Sequence, residues 1–157
     1  VDFNLIIERT FDVGLLIDIL TNEHIFDSIS EDGADLETLK FDVINEFWVS
    51  MVVDDVVIGV TNFRPMFRRT YDCHIHILPE HREHSLAAGD GLLNWCNEKL
   101  PNSTLYTNVP VFCENVKRFL LNFGFEQSGL IKQAWLKNGK RNDMWILTRG
   151  TACQQQQ

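Results

Sequence analysis

A chain of 157 residues has room for one domain with a real core and falls short of what two would need. Hydrophobic residues make up 45% of it, with eleven Phe and four Trp, which excludes a disordered chain. The formal charge of −8 speaks against a nucleic-acid partner, and no apolar run approaches the roughly 18 residues of a membrane span.

The charge is unevenly placed. Residues 1–60 carry 14 acidic and 2 basic side chains, a balance of −12, whereas residues 61–157 carry 8 acidic and 12 basic, a balance of +4. The first part suits cationic partners and the second tolerates an anionic ligand. "VDFNLIIERTFD" lacks the basic leader and small-residue cleavage site of an export signal, so a cytoplasmic location is expected. Cys73, Cys96, Cys113 and Cys153 form no CxxC pair and are expected to be reduced thiols.

Taken in chain order, "FNLIIER" reads as a strand. "DVGLLIDIL" reads as a helix with Leu16, Ile19 and Leu20 on one face and Asp12 as its cap. The acidic "TNEHIFDSISEDGAD" predicts a short helix and a loop. "EFWVSMVV" and "VVIGVTNF" predict a hairpin turning at Asp54-Asp55, and "TYDCHIHIL" a third strand. The stretch "LPEHREHSLAAGDGLLNWC", residues 78–96, opens like the end of that strand and closes like a helix. Leu86, Gly89, Leu92, Leu93, Cys96 and Leu100 mark the helix face, which ends before Pro101. "STLYTNV" is a further strand. "ENVKRFLLNFGF" is a helix with Val116, Phe119, Leu120 and Phe123 at i, i+3, i+4, i+7 and Gly124 placed for a left-handed end. "LIKQAWL", Asn138-Gly139 and "DMWILTR" predict a terminal hairpin, and "TACQQQQ" a disordered tail. The expectation is one α/β domain over residues 1–150 with long helices on a mixed sheet, and a tail over 151–157.

A strand that feeds straight into a helix aims the helix's unpaired N–H groups and partial positive charge at whatever lies by the strand end. At residues 78–88 small side chains (Ser85, Ala87, Ala88) permit close approach, Arg82 adds a fixed charge, and Pro79 interrupts the ladder. The same strand–helix layout recurs in "LYTNVPVFCENVKRFLLNFGF". Two such neighbouring units create a cleft between their strand ends, where ligands sit in open α/β sheets.

Those residues resemble the GCN5-related N-acetyltransferases, or GNAT family. The family's turn runs Pro-x-x-Arg-x-x-Gly-x-Gly/Ala, and this chain has "PEHREHSLA", with Pro79, Arg82, Ser85 where Gly is usual, and Ala87. The later helix ending in Gly124-Phe125, the element order and the closing "NGKRNDMWILTR" hairpin also match, so the resemblance spans about residues 3 to 149. It implies a GNAT-like mixed sheet of about six to seven strands flanked by helices. It implies acetyl-CoA as co-substrate and transfer to a small-molecule or protein amine. By position, backbone groups of Ile77 and Leu78 would hold the pantetheine arm. The turn through Arg82, Glu83, His84, Ser85, Leu86 and Ala87 would cradle the pyrophosphate. The family's Asn and Tyr positions fall on Cys113 and Leu120, with Asn115 as the nearest Asn.

In "YDCHIHIL", Asp72, His74 and His76 alternate onto one strand face. Imidazole ordinarily titrates near 6.5, which suits a base for an amine proton. Members of the family from short-tailed phages carry an acid-x-His pair here, which implies Asp72 and His74 as the catalytic pair. The residues alone leave open that this face merely meets solvent. A metal held by His74, His76, His81 and His84 is also conceivable, but no acidic or thiolate ligand has obvious spacing, and none is expected. "NEHIFDSISEDG", "LNWCNEKLPNSTLYTNVP" and "FLLNFGFEQSG" are similar in style to phage-encoded members. That similarity implies an alternative: a catalytically silent head-assembly or virion accessory protein that acts on phage structural proteins. Leu120 and Cys113 fit that alternative.

Overall fold

The computed structural model describes residues 2–153. Strand β1 (Leu5–Arg9) leads to α1 (Val13–Leu20), where the Asp12 carboxylate accepts from Leu15 N and so caps the helix. Asn22 caps α2 (Glu23–Ile29) in the same way. β2 (Phe47–Val53) and β3 (Val56–Phe67) join at Asp54-Asp55, whose φ values of 47° and 68° are both left-handed. That is the backbone a two-residue hairpin of matching twist needs, and Asp tolerates it. β4 (Thr70–Ile77) follows, then α3 (Ser85–Lys99), β5 (Thr104–Pro110) and α4 (Glu114–Asn122). β6 (Glu126–Lys137) and β7 (Lys140–Gly150) close the chain around Asn138 and Gly139, again both at positive φ.

The seven strands form one sheet in the order β1-β2-β3-β4-β5-β7-β6. Every pairing is antiparallel except β4 with β5. Strand alternation divides the core between the two faces. On one face Trp48 and Val60 pack with Leu16, Ile19 and Leu20 of α1 and Ile25 of α2. On the other, Val49, Met51, Phe63 and Leu105 pack with Ala88, Leu92, Trp95 and Cys96 of α3 and Leu120 of α4. α3 comes close to β1 at Gly91, where an added Cβ would lie 2.9 Å from Ile7. This is the GNAT-like sheet and helix arrangement the resemblance implies.

Between the strand end and the helix, residues Pro79–His84 wind as 3-10 turns with a kink at His81; proline at the first position has no N–H to leave unpaired. Two local expectations are revised. Thr151 and Ala152, expected in the disordered tail, are fastened down. Thr151 Oγ1 donates to Leu100 O (2.6 Å) and accepts from Ser103 N (2.9 Å), and Ala152 N donates to Asn97 Oδ1 (2.8 Å). The four glutamines after Cys153 lie outside the described residues. Part of the acidic first half is also structural. Asp32 accepts from Asn138 N and Gly139 N (2.9 and 2.7 Å), and these hydrogen bonds hold its pKa below the usual value. Glu31 accepts from Leu136 N, and Lys137 Nζ binds Asp27. The segment after α2 is thereby docked on the β6–β7 hairpin.

Candidate active site at the β4–β5 gap

β4 and β5 are paired only from Thr70 to Asp72, against Thr104 to Tyr106. Beyond that they separate, because β4 stays with β3 as far as Ile77 while β5 stays with β7 as far as Pro110. Each strand keeps an antiparallel partner on its other side, and parallel pairing is the weaker of the two. The gap opens a cleft of about 200 Å³ that reaches both faces of the sheet. Ser28, Ile29, His74 and His76 line it on the α1/α2 side; Gly89, Leu92, Phe119 and Phe123 line it on the α3/α4 side.

One rim of the gap is bare strand edge. Leu78 N donates to Ile58 O (2.9 Å), so by the alternation of an antiparallel ladder His76 and His74 also turn their backbone groups toward β3. Cys73, Ile75 and Ile77 therefore turn theirs toward the departed β5. Of the two residues expected to offer backbone groups, Ile77 faces the gap and Leu78 does not. Leu78 O is taken as well, by His81 N at 2.9 Å. The close approach of β3 to this rim depends on Gly59, where any Cβ would overlap His76 O.

Asp72 and His74 are brought together on the α1/α2 face. His74 Nε2 lies 3.0 Å from Asp72 Oδ1, and Arg64 donates to Asp72 Oδ2 at 2.8 Å. Asp72 is buried, which raises its pKa. Its contact with His74 and the nearby Arg64 charge outweigh that and hold the carboxyl below its usual range. The pair orients the imidazole with Nε2 toward the acid, which leaves Nδ1 as the atom able to accept a proton. Arg64 has no motif signal; only the β3–β4 register, Arg64 opposite Asp72, could have revealed it. His76 stacks on His74 with ring centroids 6.5 Å apart, and burial, with a smaller push from His74, lowers its pKa to about 3.

The turn from Arg82 to Ala87 lies outside the cleft lining, which α3 joins only from Gly89 onward, and it is compact. Ser85 has ordinary helical backbone (φ −58°, ψ −40°) and its hydroxyl donates to Arg82 O (2.7 Å), so glycine is not required there for conformational reasons. No side chain caps α3 and no acidic residue lies in its first turn, so its positive end stays open. Arg82, Glu83 and Leu86 are exposed, and His84, Ser85 and Ala87 half-buried. Across the cleft, α4 offers Cys113, Val116, Phe119 and Leu120 as wall residues. Burial raises the Cys113 pKa, keeping it a neutral thiol. Leu120 is buried, and Asn115 is exposed and outside the cleft lining. Ser28 and Ile29 of α2 line the cleft with no signal in the sequence.

No family model and no curated protein sequence matches the chain. Its fold, by contrast, matches solved structures over nearly their whole length. The spermidine N-acetyltransferase of Vibrio cholerae, solved in complex with CoA and spermine, superimposes with a TM-score of 0.77 at 16% identity, covering 95% of each chain. A probable acetyltransferase of Staphylococcus epidermidis gives 0.69 at 12% identity, covering 96% of this chain and all of the other. At such identities the likeness is one of fold, and the fold is that of the GNAT acetyltransferases.

Proposed function

We propose that this chain is an acetyl-CoA-dependent N-acyltransferase acting on an amine. The observation that carries the reading is the opening through the sheet, with a histidine–carboxylate pair on one face and the open end of α3 on the other. The V. cholerae structure, a polyamine acetyltransferase with CoA bound, supports it by fold. Among the described residues, no helix is long and apolar enough to cross a membrane.

The residues present fit the co-substrate. The bare backbone edge at Ile75 and Ile77 suits the amides of a pantetheine arm, and the apolar wall of Leu92, Phe119, Leu120 and Phe123 suits its alkyl part. The first turn of α3, with Arg82 before it and Ala87 within it, suits a pyrophosphate. Bound there, acetyl-CoA supplies an already activated thioester. The chain's task is then to hold the amine close and remove its proton. His74 takes that proton at Nδ1, while Asp72 fixes the ring and balances the imidazolium that forms. Asp72, buried, hydrogen-bonded by Arg64 and with Oδ1 3.0 Å from His74 Nε2, is a positioning residue and not the base. Leu120 donates no proton to a leaving thiolate, so that proton comes from solvent or from the acceptor itself.

The test is calorimetric titration of acetyl-CoA into the purified protein, with dephospho-CoA as control, followed by a panel of mono- and polyamines. Micromolar binding that Ala87→Glu abolishes is expected; no binding at millimolar cofactor overturns the reading. Leu120 at the usual Tyr position and the outward-facing Asn115 favour a second reading, a catalytically silent assembly protein of phage type. Acetylation of any amine in proportion to protein concentration excludes it.

A further inference from the structure

Four of the five histidines fall into two groups. His74 and His76 belong to the strand face described above. His81 and His84 lie on the 3-10 turn, and the structure adds a carboxylate to them: ligand atoms of His81, Glu83 and His84 all lie within 4.8 Å of one another. The turn is kinked at His81, whose φ of −119° and ψ of 15° are not helical, and the rings of His81 and His84 lie with centroids 6.5 Å apart. Glu83 Oε1 stands 3.6 Å from His84 Nε2.

We propose that His81, Glu83 and His84 form a three-ligand site for a divalent transition metal of the zinc class. Two imidazoles and one carboxylate are the donor set such ions take, whereas magnesium and calcium prefer all-oxygen sites. Bonds of about 2.0–2.2 Å place tetrahedral ligands roughly 3.3 Å apart, so Glu83 and His84, at 3.6 Å, are nearly in place and the widest pair closes by at most about 1.5 Å. Glu83, with 63% of its side chain exposed, is free to make that movement. His84 is held in place: Phe3 packs edge-on against its ring at 4.9 Å. A fourth position stays open to water. A bound ion ties the kinked turn together on either side of Arg82, immediately before α3. The site shares Glu83 and His84 with the turn assigned to the pyrophosphate, and its test, run with the metal alone, does not depend on acyl transfer.

Zinc chloride is titrated into the full chain by calorimetry, and cobalt(II) is added separately for its visible spectrum. The expected result is one ion per chain, a tetrahedral cobalt spectrum without thiolate charge transfer, and about tenfold or greater weakening in His81→Ala and in His84→Ala. His24→Ala and Cys153→Ser, exposed residues elsewhere, leave the affinity unchanged. Absence of binding at millimolar zinc overturns the proposal. So does an affinity unaltered by both turn substitutions, or lost in Cys153→Ser. Since folding is read in the same samples by circular dichroism, a variant that fails to fold is recognised, and Glu83→Gln then provides the ligand test.

Discussion

His76 makes the stability of the fold depend on pH in a range where few other groups act. Its pKa falls from 6.5 to about 3 because its ring is taken out of water beside His74. Between those two values the unfolded chain binds a proton that the native chain refuses. The stability due to neutral His76 is therefore complete above about pH 6.5 and is lost progressively as pH falls toward 3. At pH 5 the full shift corresponds to a loss of about 2 kcal/mol relative to neutral pH, and the ring's partial exposure brings this to about 1–2 kcal/mol. For a chain of this size that is a fall in Tm of roughly 3–6 °C. Asp72, whose pKa is lowered instead, keeps its contribution until the pH falls below its ordinary value of 3.8, so it does not interfere in this window. The assay is thermal unfolding followed by circular dichroism at pH 7 and pH 5, for the wild type and for His76→Gln, which cannot titrate. The wild type should lose those degrees and the variant should lose fewer by the same amount. Equal losses in the two proteins would refute the account of a neutral, desolvated His76.

Three other outcomes follow from the same geometry. Once an acceptor amine is found, His74→Gln lowers kcat by about 10²-fold or more, and Asp72→Asn lowers it less, without changing acetyl-CoA affinity; undiminished turnover in His74→Gln removes the base assignment. Gly59→Ala pushes a methyl group against the backbone of His76 and Ile77, which cannot move aside as a side-chain tip can. It should destabilise the protein by about 1–3 kcal/mol in chemical denaturation, and a neutral result would mean that β3 and β4 are further apart than described. Asp32→Ala removes two acceptors from the Asn138-Gly139 turn and should loosen the hairpin tip, read as faster amide exchange at Asn138 and Gly139; unchanged protection there would show the turn stands without its cap.

Much of this protein is written locally. The Asp12 cap, the Asn138-Gly139 turn and the spacing of Leu16, Ile19 and Leu20 each depend on a few adjacent residues, and each appears where the periodicity and turn chemistry put it. The face shared by Asp72, His74 and His76 is likewise a matter of strand alternation. What alternation leaves undecided is what that face meets. The gap arises because β4 and β5, far apart in sequence, each follow a different antiparallel neighbour after three shared pairs. The packed sheet also decides that Ile77 faces the gap while Leu78 is consumed by Ile58, and that α2 supplies Ser28 to the cleft, while the β3–β4 register sets Arg64 opposite Asp72. Glu83 joins His81 and His84 only once the chain winds through the turn kinked at His81 and Phe3 comes back against His84 from the start of the chain. Contacts set by a few neighbouring residues are legible in one dimension; those set by which distant strand wins a partner exist only after the sheet has closed around them.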